Sequence, residues 1–238
     1  MSTMQEQSRL LVGLSATDAT LLDRVTERKA IDERRASELG AIEQLRVASA
    51  AIEAQRKDTT QKQDEEQTRL REEERRIVER RKQLMALGGT RAAKLLEREI
   101  DIASRTIQGI EQKVMQLLNE VEAIEAKVAS MRKDIDDKQL SFEDSLPGME
   151  KRTAELDADI KSLQAARDKT FEALDERVRG LYLRVHARYP GAAVARAASS
   201  SCRACYRALP AQTFNQVLAG NALIQCPGCS RILVSAEV

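Results

Sequence analysis

The chain has 238 residues, of which 32% are charged and only 3% aromatic, with no tryptophan. That composition excludes a large globular core anchored on aromatic side chains. Thirty-nine Lys+Arg stand against 38 Asp+Glu, a net charge of +1, so no global field calls for nucleic acid, an anionic membrane or an acidic substrate.

The local balance is different. From Arg177 to the C-terminus eight arginines stand against one acid, Glu237, a local +7; the chain's +1 then leaves −6 for residues 1–176. The opening MSTMQEQSRLLVGLSATDAT has no basic segment followed by an unbroken apolar core, and no apolar run approaches the roughly 20 residues that span a bilayer. A cytoplasmic protein without a membrane span is expected.

From Arg9 to Leu87 there is no proline, only Gly13 and Gly40 as glycines, and a predominance of strong helix formers. This predicts one very long helix. Gly88-Gly89 stops it, and Thr90 is placed to cap the next. In the second helix Ile100, Ala103, Ile107, Ile110, Val114, Leu117, Val121, Ile124, Val128, Met131 and Ile135 alternate spacings of three and four, the signature of a coiled-coil seam. Leu146-Pro147-Gly148 interrupts the pattern, because proline lacks the backbone donor and crowds the preceding turn. It resumes at Leu156, Ile160, Leu163, Thr170, Leu174, Val178, Leu181 and Val185.

The first helix, about 80 residues or roughly 120 Å, matches the summed length of the returning segments. The fold class is therefore mainly α, a long antiparallel coiled-coil hairpin. Its return arm kinks at Pro147, or else folds there into a third helix. Continuing the first helix's own heptad from Ile42 puts Arg56, Thr59, Gln63 and Glu66 on the seam. Either their long stems cover the apolar stretch opposite, or a second copy or a partner does.

Tyr189-Pro190-Gly191 ends the helical region, and a small-residue linker or short strand follows. The division is thus a hairpin over residues 1–190, turning near 88–92 and kinked near 146–148, and a ribbon over 191–238.

All four cysteines lie in the ribbon, as Cys202-x-x-Cys205, twenty residues, then Cys226-x-x-Cys229. Two residues between thiols let both sulfurs reach one ion, and two such knuckles close a tetrahedron. Four thiolates leave no open position, so the expected cofactor is one structural Zn2+. An iron–sulfur centre and a redox pair are the competing readings. Leu223-Ile224 and Ile232-Leu233-Val234 offer short strands, with reverse turns at Ala208-Pro210 and Gly220-Asn221.

The basic end motivates a second reading as an RNA- or DNA-binding protein, with Arg196, Arg203, Arg207 and Arg231 as contact candidates. Only Tyr182, Tyr189, Tyr206 and Phe214 are available to stack bases, and the first two are expected to pack at the helix end instead. An enzyme is the weakest reading: His186 is the only histidine, and Gly88-Gly89 lacks the Lys and Ser/Thr of a phosphate loop.

With these residues in view, the chain resembles the bacterial C4 zinc-ribbon proteins that carry an N-terminal coiled-coil hairpin, a family associated with flagella and type III secretion. The resemblance rests on Cys202-x-x-Cys205, Leu209-Pro210-x-Gln212, Leu223-Ile224-x-Cys226-Pro227-x-Cys229 and Ser230-Arg231-Ile232-Leu233. Also similar are Leu95-Leu96-Glu97-Arg98-Glu99-Ile100 after the turn, Leu11-Val12-x-Leu14 with Asp18 and Leu21, and Leu181-Tyr182. Val234 and Gly88-Gly89 depart from the family pattern.

The resemblance implies a non-catalytic adaptor or chaperone-like protein. Its partners would be an alternative sigma factor or secretion and flagellar components, and in some members messenger RNA. It also implies hairpin-tip contacts at Leu95, Leu96 and Glu99.

Overall fold

The computed structural model describes residues 3–88 and 91–236. Helix α1 spans Met4–Leu87 and α2 spans Arg91–Glu172, the two arms of the expected hairpin. Gly89 and Thr90, the expected stop and cap between them, lie outside the described residues; Gly88 sits at φ +52°, the left-handed conformation that ends helices. After α2 come α3 (Glu176–Arg188), β1 (Val194–Ala198), β2 (Ser201–Cys202), α4 (Ala211–Ala219), β3 (Ile224–Gln225) and β4 (Ile232–Ser235). Among the described residues no helix is long and apolar enough to cross a membrane. The chain divides into two compact units, residues 37–144 and residues 1–36 with 145–238.

In the unit of residues 37–144 the two arms run antiparallel. Partners on α2 fall in number as those on α1 rise: Arg46 donates to Gln139 at 2.7 Å, Arg132 pairs with Glu53 at 2.5 Å, and Arg80 lies 3.8 Å from Glu99. Every residue of the predicted α2 seam from Ile100 to Ile135 is buried or half-buried. The polar α1 positions do lie on the seam. Thr59 is buried and returns its hydroxyl to the Gln55 carbonyl at 3.0 Å, while Arg56 reaches Glu125 at 3.6 Å and Glu66 reaches Lys113 at 4.0 Å. Leu117 and Val121 beside them are buried within the chain. Long stems lying along the seam with their charges at its rim account for this packing.

The helix does not break at Leu146-Pro147-Gly148. Helix α2 passes through Pro147 unbroken, which also rules out a third helix folded at that point. Pro147 and Gly148 are on the exposed face, where the carbonyl that the missing donor leaves free is open to solvent. The break falls instead at residues 173–175. Asp175 adopts an extended conformation (φ −61°, ψ 147°), and its N–H is taken by the Gln7 side-chain oxygen at 3.0 Å. Leu174 and Val178 on either side remain buried.

In the unit holding both chain ends, one apolar cluster joins α1 (Leu11, Leu14), the 173–185 region (Leu174, Val178, Tyr182, Val185) and the ribbon (Ala193, Ile232). A polar lock lies beside it. Asp18, buried, accepts from Arg167 Nε at 2.7 Å and from the Tyr182 hydroxyl at 2.6 Å, and His186 Nδ1 is 3.3 Å away. Burial, and then the Asp18 carboxylate, push the Tyr182 hydroxyl far above its ordinary range, so it stays a donor. Gly191, at φ +70°, passes so close to α1 that an added Cβ would stand 3.0 Å from the Ala19 Cα. Both its conformation and that approach require glycine.

The ribbon is a four-stranded sheet in the order β2-β1-β4-β3. β1 pairs with β4 in parallel, whereas β1–β2 and β3–β4 are antiparallel. Ser199 and Ser200, both at positive φ (49° and 55°), make the tight turn between β1 and β2. The strand expected around Ile232–Val234 is β4, and Ile224 opens β3. Helix α4 was not anticipated; it starts after Pro210 and closes on Gly220, at φ 64°, whose N–H returns to the Gln216 and Val217 carbonyls.

Candidate metal centre and ribbon surface

Each cysteine pair sits in a knuckle, and the two knuckles repeat one backbone pattern. In the first, Tyr206 N–H donates to the Cys202 carbonyl at 2.8 Å and Cys202 N–H to the Arg207 carbonyl at 3.0 Å. In the second, Ser230 N–H donates to Cys226 at 2.7 Å and Cys226 N–H to Arg231 at 2.8 Å. The residue after each second cysteine is left-handed, Tyr206 at φ 60° and Ser230 at φ 61°. Backbone N–H groups of residues 204 and 205 aim at the Cys202 sulfur, and those of 228 and 229 at Cys226.

The four sulfurs all lie within 4.8 Å of one another, with Cys202 and Cys229 4.0 Å apart and Cys205 and Cys226 3.7 Å apart. A tetrahedral ion with Zn–S of about 2.3 Å places its sulfurs about 3.8 Å apart, so the spacing fits one Zn2+. A disulfide needs about 2.05 Å, and these separations exclude one. Neither knuckle stands at the start of a helix, the setting that a thioredoxin-like pair requires.

Burial pushes the Cys202 thiol up to about 12 and the Cys226 thiol in the same direction. The Arg207 N–H draws Cys205 down to about 7. A buried thiol stays protonated until a metal displaces the proton, so binding here releases acid. The ion belongs to the fold: Cys202, Cys226, Leu209, Val217, Leu233, Ala195 and Ala197 form a single cluster. With four protein ligands no coordination position is left for a substrate.

The structure places the other candidates in different settings. Arg196 on β1, Arg203 and Arg207 are exposed. Arg231 is committed internally, with its guanidinium 3.8 Å over the Tyr189 ring and Nε donating to the Ala192 carbonyl at 2.8 Å. Arg207 and Arg231 occupy equivalent positions in the two knuckles, yet only Arg231 is tied to the helical base. Leu95, Leu96 and Glu99 lie in the other unit, Leu95 57% exposed and Glu99 near Arg80.

Of the available aromatics, Tyr182 is fully buried and Tyr189 lies under Arg231, while Phe214 packs partly against the ribbon core and Tyr206 is 79% exposed. The Asp18–Arg167–Tyr182 lock was missed as a constellation. Its members come from three helices, and only Asp18 and Tyr182 stood out in the sequence.

These features define a class: a coiled-coil hairpin carrying a C4 zinc ribbon. Residues 201–233 match the family described as the C4-type zinc ribbon domain. CT398 from Chlamydia trachomatis shares the fold at a TM-score of 0.89 and 18% identity, over 98% of this chain and 98% of that one. A protein of Mycobacterium smegmatis gives 0.71 at 20% identity over 99% and 100%. HP0958 of Helicobacter pylori gives 0.67 at 16% over 99% of each chain. At such identities the likeness is one of fold. No curated protein sequence matches the chain.

Proposed function

We propose that this protein is a non-catalytic cytoplasmic adaptor, chaperone-like in form, that holds protein partners on its hairpin and on its zinc-braced ribbon. The observation that carries the reading is the closed tetrathiolate geometry: the one cluster able to hold a metal among the described residues spends every coordination position on the fold. Apolar side chains exposed on the hairpin arms near the turn support it, with Met85 at 86%, Leu95 at 57% and Ile102 at 65% exposure. A partner that covered them would gain the free energy of removing their apolar surface from water. By family resemblance the partners are an alternative sigma factor or flagellar and secretion components.

The test is titration calorimetry of the zinc-loaded chain against the purified alternative sigma factor of the same bacterium and against its export components. Binding that is lost in Leu95→Asp with Leu96→Asp, at unchanged helicity, supports the adaptor reading. Absence of binding to all of them refutes it.

A nucleic-acid reading draws on the arginines of the ribbon, but only Tyr206 is left fully open to stack a base. Sequence-tolerant single-strand binding uses several such platforms.

A further inference from the structure

The hairpin arms and the ribbon treat cations differently. At the base of the hairpin, Arg24, Arg152 and Arg167 are answered by Asp159, Glu27 and Asp18. Between Glu176 and Glu237 the sequence contains no carboxylate at all. Arg196, Arg203 and Arg207 consequently have no ion-pair partner among the described residues. Zn2+ with four thiolates carries −2, and the four arginines of residues 191–236 still leave the ribbon cationic.

Two of these arginines are held against each other. The β1–β2 register sets Ala197 opposite Cys202, and the Arg203 N–H bonds the Arg196 carbonyl at 2.9 Å, which carries the ladder one rung further. Arg196 and Arg203 are therefore directly opposed on the outward face, an arrangement that destabilises a sheet when the charges are alike. The third is restrained in another way: the stem of Arg207 lies on Gly228, where an added Cβ would come within 2.6 Å of its Cδ. A guanidinium whose stem is already packed loses less freedom when it binds. Beside it Tyr206, 79% exposed, is fixed by its knuckle hydrogen bond. Tyrosine and arginine are the residues enriched where protein partners are anchored.

We propose that Arg196, Arg203, Arg207 and Tyr206 form a docking surface for an acidic polypeptide segment of a partner protein. The missing carboxylates are then supplied in trans, and each offers guanidinium groups a bidentate acceptor. This surface rests on the adaptor reading and names the chemistry of the ribbon's partner.

The experiment is fluorescence anisotropy of a labelled oligoglutamate against the zinc-loaded full chain, across a salt series. The peptide binds, its affinity falls with salt, and Arg196→Glu with Arg203→Glu weakens it by about tenfold or more, at unchanged zinc content and dichroism. Arg177→Glu on α3, outside the surface, changes it little. Arg203→Lys, which keeps the charge but not the guanidinium fork, loses less affinity than the double Glu variant, and this separates charge recognition from local structural damage. Equal binding by the double variant, or no peptide binding at low salt, overturns the proposal. So does tighter binding of single-stranded RNA of matched charge that is lost in the same variant. Sigma-factor or export-component binding that persists without peptide affinity overturns this surface alone and leaves the adaptor reading standing.

Discussion

The hairpin and the ribbon solve one problem, a shortage of core, in opposite ways. Along the hairpin each seam residue of α2 is buried or half-buried, and exposed ion pairs such as Arg132–Glu53 are scattered along the rim. Stability there is a sum of many similar terms, and no single one decides it. The ribbon has short strands and one short helix, and its core closes on four sulfurs. Losing one ligand there removes the organising centre, because metal binding is most of the folding free energy of so small a module. Extended elements spread their risk, whereas a metal-braced module concentrates it.

The sharpest way to break this contrast is Cys226→Ser. Stoichiometric zinc is lost and the ribbon unfolds, while far-UV dichroism keeps nearly all its helical signal; metal analysis beside the spectrum checks both halves. A variant that holds its zinc would mean that the ribbon does not depend on the complete thiol set.

Next in size is Asp18→Ala, which leaves the half-sheltered Arg167 with only the exposed Asp168 as a partner and the Tyr182 hydroxyl without the Asp18 acceptor. A cost of about 3 kcal/mol is expected, read as a lowered midpoint in urea. Hydrogen exchange should rise around Tyr182 and Gly191 and stay unchanged near Leu117. Equal loosening near Leu117 would show that the two units unfold together.

Leu117→Ala removes a buried seam side chain and costs about 2–3 kcal/mol, with zinc content unaffected. The smallest effect belongs to Arg132→Ala. The Arg132 hydrogen bond, and then its charge, hold the Glu53 carboxyl below its ordinary value of 4.5. A carboxylate with a lowered folded-state pKa contributes above its unfolded value and loses that contribution as pH falls. The variant's Tm should therefore lie slightly below the parent's at neutral pH and converge with it as pH drops below 4.5. Exposure of the pair keeps the shift near the limit of detection.

Reading the sequence was most successful where the information was local. Spacings of three and four from Ile100 to Ile135 disclose the seam, and two C-x2-C pairs disclose the metal site, because helix faces and knuckles are set by neighbours a few residues away. Whether proline at 147 opens a third helix was not legible for the same reason: its local cost is real, but whether a helix runs on through it depends on which face it occupies. Helix α4 carried the signal of proline before and glycine after, easily mistaken for two turns flanking a loop.

By itself the sequence determined the two arms, the apolar stripe that joins them, the cluster of thiols and the lack of acidic residues from 177 to 236. Tertiary structure alone decided that α2 ends where Gln7, more than 160 residues away, captures the Asp175 N–H. It also decided that β1 lies parallel to β4, that Asp18 gathers Arg167 and Tyr182, and that Arg196 and Arg203 oppose each other. Periodicity and spacing record what adjacent residues do to one another along a helix or a turn. A hydrogen bond between distant segments depends on the packing that brings them together, and no pattern within either segment announces it.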